Sequence, residues 1–117
     1  MSVYAVVLEA QLAGVRAVGP GAEGREVDAA ARSVISDAGY GSQFGHGLGH
    51  GVGLEVHEDP RLSQRSDHVL SVGNAVTVEP GIYLPGRLGV RIEDLVVVTD
   101  DGCEILSSIS KELTVVD

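Results

Sequence analysis

The sequence predicts an α+β domain in which two helices precede an antiparallel sheet. Three observations predict it. Apolar residues recur at helical spacing on both sides of Pro20-Gly21, and Val, Ile and Thr crowd into two later segments separated by Leu84-Pro85-Gly86-Arg87. Between these halves, glycine occupies positions 39, 41, 45, 47, 49, 51 and 53 and is interleaved with histidine.

The first helix is expected from Val3 to about Val18. Leu8, Leu12 and Val15 supply its apolar repeat, Ala5, Ala10, Ala13 and Ala17 supply propensity, and Pro20-Gly21 stops it, with Gly14 an unfavourable interior residue. A second helix follows from the stripe Val27, Ala30, Ala31, Val34 and Ile35, with Gly39 where a left-handed C-terminal cap belongs. Asp28 and Asp37 fall on the polar side of that helix. The glycine-rich run from Gly39 to Gly53 is a backbone free to approach a ligand closely. From Glu58 to Ser71 the chain is polar and aperiodic and contains Pro60, which reads as a surface loop. Residues Ala75 to Tyr83 and Gly89 to Thr99 form an antiparallel hairpin, and a last short strand lies near Cys103 to Leu106 after the turn at Asp100-Asp101-Gly102.

Composition bounds the function. At 117 residues with 44% hydrophobic and 21% charged residues, the chain has material for one aliphatic core. Seventeen acidic residues against eight basic ones give a net charge of −9, and the basic residues form no run, so nucleic acid is a poor partner. No apolar run is long enough for a membrane span, and a lone cysteine, Cys103, with no secretory signal predicts a soluble protein of a reducing cytoplasm.

The chemistry concentrates on a few residues. Alternation in the hairpin puts Thr77 and Glu79 on one face, away from Val76 and Val78. In the partner strand Arg91, Glu93 and Leu95 share one face, while Val90, Ile92, Asp94 and Val96 share the other. If the Glu79 and Glu93 faces meet, two carboxylates in apolar surroundings must take up a proton or bind a cation, either Arg91 or a metal. His50 offers the imidazole that accompanies carboxylates in sites for manganese, cobalt, iron or zinc. His46 lies four residues before it and His57 seven after, and Gly47 stands where a His-Glu-x-x-His metalloprotease would need its glutamate, which excludes that class. Of the remainder, His68 is expected as an exposed loop histidine, Tyr83 as packing with its hydroxyl at a polar edge, and Cys103 as an inert small residue.

Three segments resemble one family in order and spacing. The run from Phe44 to Pro60, Thr77-Val78-Glu79-Pro80-Gly81-Ile82-Tyr83, and Gly89-Val90-Arg91-Ile92-Glu93-Asp94 are similar to Xaa-Pro aminopeptidases and prolidases, metallopeptidases of pita-bread fold. The resemblance covers nearly the whole chain. It implies the C-terminal half of a pita-bread catalytic domain, with residues 1–117 as a single partial domain. It also implies metal ligation by His50, Glu79 and the bridging Glu93, substrate or proton-transfer roles for His46 and His57, and an orienting role for Arg91, which can equally neutralise the two glutamates.

Complete members of the family hold two divalent ions and contribute two further aspartates, which have no counterpart here. The expectation is therefore a truncated chain, inactive or weakly metal-binding, with at most one ion (Mn2+, Co2+ or Zn2+) and, if active, a peptide with proline at its second position as substrate. The other expectation is a non-catalytic assembly module, a homo-oligomer joined through the surface that the missing half would cover.

Overall fold

In a computed structural model, described for residues 2–52 and 60–115, the chain opens with helix α1, Val3–Ala17, whose first turn is capped where Ser2 Oγ accepts from the Ala5 amide at 3.1 Å. The extent agrees with the sequence, but the buried face does not. Val6, Val7, Ala10, Gln11 and Gly14 face inward, while Leu12 is 44% exposed and Leu8 and Val15 pack only at the rim of the core. Close approach is the cause. A Cβ on Gly14 would stand 3.0 Å from Val78 Cγ1 and 3.2 Å from Leu48 Cδ2, so the smallest residue marks where α1 lies against the sheet.

Helix α2 spans Gly24–Asp37 and buries Val27, Ala31 and Ile35, as its stripe predicts. It ends in a Schellman arrangement: Gly39, at φ +93°, donates its amide to Ser36 O and Tyr40 donates to Ile35 O, each at 3.0 Å. Asp28, expected on the polar side, is instead 1% exposed. It is buried because Arg32 comes with it as a partner, an arrangement that a hydropathy stripe does not reveal.

A turn of 3-10 helix, Gly41–Gln43, leads to strand β1, Gly49–His50, which pairs antiparallel with β2, Arg61–Leu62. The stretch expected to be a surface loop thus contributes a strand and two core residues, since Leu62 and Leu70 are fully buried. Each removes enough apolar surface from water to contribute about 1.5–3 kcal/mol. The loop is further tied to α2, whose Gly24 and Arg25 amides donate to the carbonyls of His68 and Ser66 at 2.8 and 2.9 Å.

The main sheet contains β3, Ala75–Val78, β4, Gly81–Leu84, β5, Leu88–Thr99, and β6, Gly102–Val115. β3 and β4 pair in succession with β5, forming the expected hairpin with an interruption at Glu79-Pro80, and β6 pairs with β5 along its whole length. β6 is therefore much longer than the short strand expected near Cys103. Its register shifts opposite Glu93/Asp94 and Leu95/Val96, irregularities that bend a sheet locally. Helix α1 lies against the face formed by Val76, Val78, Val90, Ile92, Val96 and Val98, all buried, and α2 packs on α1 and β2. Asp94 shares this face and is also buried, where its Oδ2 accepts from Gln11 Nε2 at 2.7 Å.

Candidate metal centre

Strand register assembles the site. Val78 pairs with Asp94 and Gly81 with Arg91, so the residues between them continue the count and set Glu79 across from Glu93. On the other side of β3, the Glu79 amide donates to Leu48 O at 2.7 Å, the Val52 amide to Ala75 O at 2.9 Å, and the His50 amide to Thr77 Oγ1 at 3.1 Å. His50, Glu79 and Glu93 thus come from three neighbouring segments: β1, the interruption that follows β3, and β5. Gly49 permits the approach, because a Cβ there would collide with the Thr77 carbonyl oxygen.

Glu79 is the meeting point. Its Oε2 lies 3.9 Å from His50 Nε2, and its carboxyl stands near enough to that of Glu93 to repel its negative charge. Accordingly the Glu93 carboxyl is pushed from 4.5 up to about 7, first by desolvation and then by Glu79, against the lowering influence of Arg91 and His50. Among the described residues no three His, Cys, Asp or Glu side chains yet form a ready ligand cluster, so the contacts are pairwise through Glu79.

The donor set nevertheless fits a divalent cation. His50 Nδ1 lies 3.0 Å from Gly51 O, which can only accept, so in the neutral ring Nδ1 carries the proton and Nε2 keeps its lone pair toward Glu79. Two facing glutamates add oxygen donors to this nitrogen, the donor types that suit manganese, cobalt or zinc. The cleft beside it, about 300 Å³, is lined by His46, His50, Arg61, Ser63, Glu79 and Arg91.

Of the other expected residues, Arg91 lines this cleft close enough to Glu93 to lower its pKa. His46 donates from Nδ1 to Gly47 O at 2.7 Å, so its Nε2 is the acceptor for the Tyr83 hydroxyl at 2.9 Å. That partnership was not legible in the sequence, although the alternation of Gly81-Ile82-Tyr83 away from the core was its available signal. His57 lies outside the described residues. His68, expected as an exposed loop histidine, is half-buried and accepts the Arg61 amide on Nδ1 at 3.0 Å, holding the β2 loop. Cys103 Sγ donates to Val15 O at 3.3 Å, and burial pushes its thiol pKa up, in keeping with an inert residue.

An antiparallel sheet packed against a helical pair through α1, with an imidazole and two facing carboxylates brought together beside it, defines a metallopeptidase-like α+β protein. Residues 1–100 match the sequence model of metallopeptidase family M24, and the chain belongs to that family. It is 50% identical over 111 residues to an Xaa-Pro dipeptidase of Pyrococcus furiosus, covering 95% of this chain and 32% of that protein, and 50% identical over 113 residues to an uncharacterized peptidase of Bacillus subtilis, covering 97% and 32%. Among solved structures, an Xaa-Pro dipeptidase from Bacillus anthracis superposes with a TM-score of 0.88 at 56% identity, over 96% of this chain and 32% of that one. The prolidase from Pyrococcus horikoshii OT3 does so with a TM-score of 0.88 at 49% identity, over 94% and 32%. The chain thus spans about a third of the length of the relatives it matches, and its fold is the corresponding part of the pita-bread prolidases. Membership in a metallopeptidase family implies a divalent metal. Among the described residues, no helix is long and apolar enough to cross a membrane.

Proposed function

We propose that this chain supplies part of the metal site of a proline-specific peptidase, with His50, Glu79 and Glu93 as ligands of at most one divalent ion, Mn2+, Co2+ or Zn2+. The observation that carries it is the placement of Glu79 across from Glu93 with His50 Nε2 3.9 Å from the Glu79 carboxylate. When bound, such an ion supplies Lewis acidity toward a water and a carbonyl oxygen. His50 presents a lone pair fixed by its Gly51 contact, and the two glutamates, as carboxylates, accept a cation between them. His46, held by Tyr83, and Arg91 line the cleft at which a peptide with proline in its second position would enter, and His57 is assigned with them to substrate contact and proton transfer.

Residues 1–117 constitute a partial catalytic domain in this reading. The two aspartates buried among the described residues are committed elsewhere, Asp28 to Arg32 and Asp94 to Gln11, so they do not complete a second metal position. A weak, single-ion site without turnover is expected of the chain alone, within a reducing cytoplasm. Calorimetric titration with Mn2+ and an assay on an Xaa-Pro dipeptide test it. Proline-specific turnover by the pure chain overturns the partial-site reading, and absence of any Mn2+ binding overturns the ligand assignment.

A second reading, a homo-oligomeric assembly module, has its own support. Ile105 and Leu106 are each more than half exposed on β6, which pairs with β5 alone among the described strands. Apolar residues on such an edge favour association.

A further inference from the structure

Asp28 and Arg32 form an ion pair that the proposed reaction does not use. Arg32 Nε lies 2.8 Å from Asp28 Oδ1 and Nη2 lies 3.1 Å from Oδ2, a two-pronged contact in which Asp28 is 1% exposed. The remaining donor capacity of Arg32 goes to one short segment. Nη1 donates to Phe44 O and Nη2 to His46 O, each at 2.9 Å, while Asp28 Oδ2 accepts the Leu48 amide at 3.1 Å. The guanidinium carbon also stands 4.1 Å from the centre of the Phe44 ring, which meets the His46 ring edge-on at 5.0 Å.

The pattern has a specific geometry. Residues 44, 46 and 48 lie in an irregular segment that bends at His46 and Leu48, and the carbonyls of the first two and the amide of the third are satisfied by the ion pair of α2. The same segment then continues into β1, where Leu48 O accepts the Glu79 amide at 2.7 Å and His50 begins its contacts.

We propose that Asp28 and Arg32 are positioning residues that fix the backbone carrying His46 and His50 relative to Glu79, a role that rests on the metal-site reading above. An Arg fork is needed because four acceptor atoms must be reached from one side chain, and a lysine ammonium, a point charge with three donors, cannot span them.

The test uses the 117-residue chain with Arg32→Lys, Arg32→Met and Asp28→Asn, beside Ile35→Val as a control that loosens the same helix without touching this segment. Imidazole nitrogen signals of His46 and His50, read by NMR without metal, and Mn2+ affinity, read by calorimetry, are compared in the folded proteins. The expected result is that the Arg32 and Asp28 variants shift both imidazole signals, weaken the His46–Tyr83 contact and lower Mn2+ affinity by about tenfold or more, the size typical of lost support around ligands. Arg32→Lys is expected to retain fold and not geometry, and Ile35→Val to leave both readouts at the parent values. Unchanged imidazole signals in a folded Arg32→Met protein overturn the proposal. Should that variant not fold, Arg32→Lys and Asp28→Asn decide by the same signals. If the parent chain binds no Mn2+, the ligand reading fails, while the imidazole signals still support or overturn the positioning role.

Discussion

Glu93 couples the site to pH through its burial beside Glu79. Its carboxyl is pushed from 4.5 to about 7 by desolvation and by Glu79, so between these values the folded chain binds more protons than the unfolded one. Stability from this group is complete below about pH 4.5 and is lost as pH rises through about 7. Urea unfolding of the metal-free protein at pH 5 and pH 8 should show greater stability at the lower value, with Glu93→Gln flattening the difference. An undiminished difference in that variant would assign the effect to other groups. A second residue-scale prediction concerns Gly49, where any side chain meets the Thr77 carbonyl. Gly49→Ala is expected to destabilise by about 1–3 kcal/mol and to displace His50, measurable as a lower urea midpoint together with weaker Mn2+ binding.

At the scale of elements, α1 is joined to the sheet by a polar bond as well as by packing. Gln11 and Asp94, both buried, meet at 2.7 Å one residue beyond Glu93 in β5. Gln11→Leu leaves the Asp94 carboxylate buried without that donor and is expected to cost about 1–3 kcal/mol, whereas replacing both partners with leucine should restore much of the loss. A double-mutant cycle by urea unfolding measures the coupling, and additive losses would show that the bond contributes nothing. This pair also indicates where the sequence was informative. The hairpin and the opposition of Glu79 and Glu93 were readable because alternation and the Pro85-Gly86 turn both act locally. The inward face of α1 was not, since beyond Val6 and Val7 it continues through Ala10, Gln11 and Gly14, which do not extend an apolar stripe, while Leu12 is exposed. Asp28 misled for the same reason: an acidic residue four positions before an arginine looks like a solvated helix pair, and only its contacts with residues 44–48 make it a core element. Leu62 and Leu70 were hidden in a polar stretch whose folding depends on distant partners, β1 and α2.

For the whole molecule, a ligand that joins His50 to Glu79 and Glu93 ties β1, β3 and β5 together and must stabilise the fold by mass action. At an Mn2+ concentration about a hundred times Kd, the gain is about 2.7 kcal/mol, or roughly 10 °C in Tm for a domain of this size. EDTA should reverse it, and His50→Ala should abolish it. A shift that persists in His50→Ala would mean that the ion binds elsewhere on this acidic surface. Association is the other global property at issue, and the sheet supplies its means. Ile105 and Leu106 are consecutive on β6 at the register shift opposite Leu95/Val96, each more than half exposed, which gives the edge strand two adjacent apolar groups. Such an edge can pair with its own copy about a twofold axis and bury these residues in the process. Light scattering of the 117-residue chain is therefore expected to report a dimer at high concentration, and Ile105→Lys, which places a charge in the joint, is expected to return it to the monomer mass. A chain that stays monomeric throughout removes the assembly reading, whereas a dimer unmoved by Ile105→Lys relocates the joint to another face.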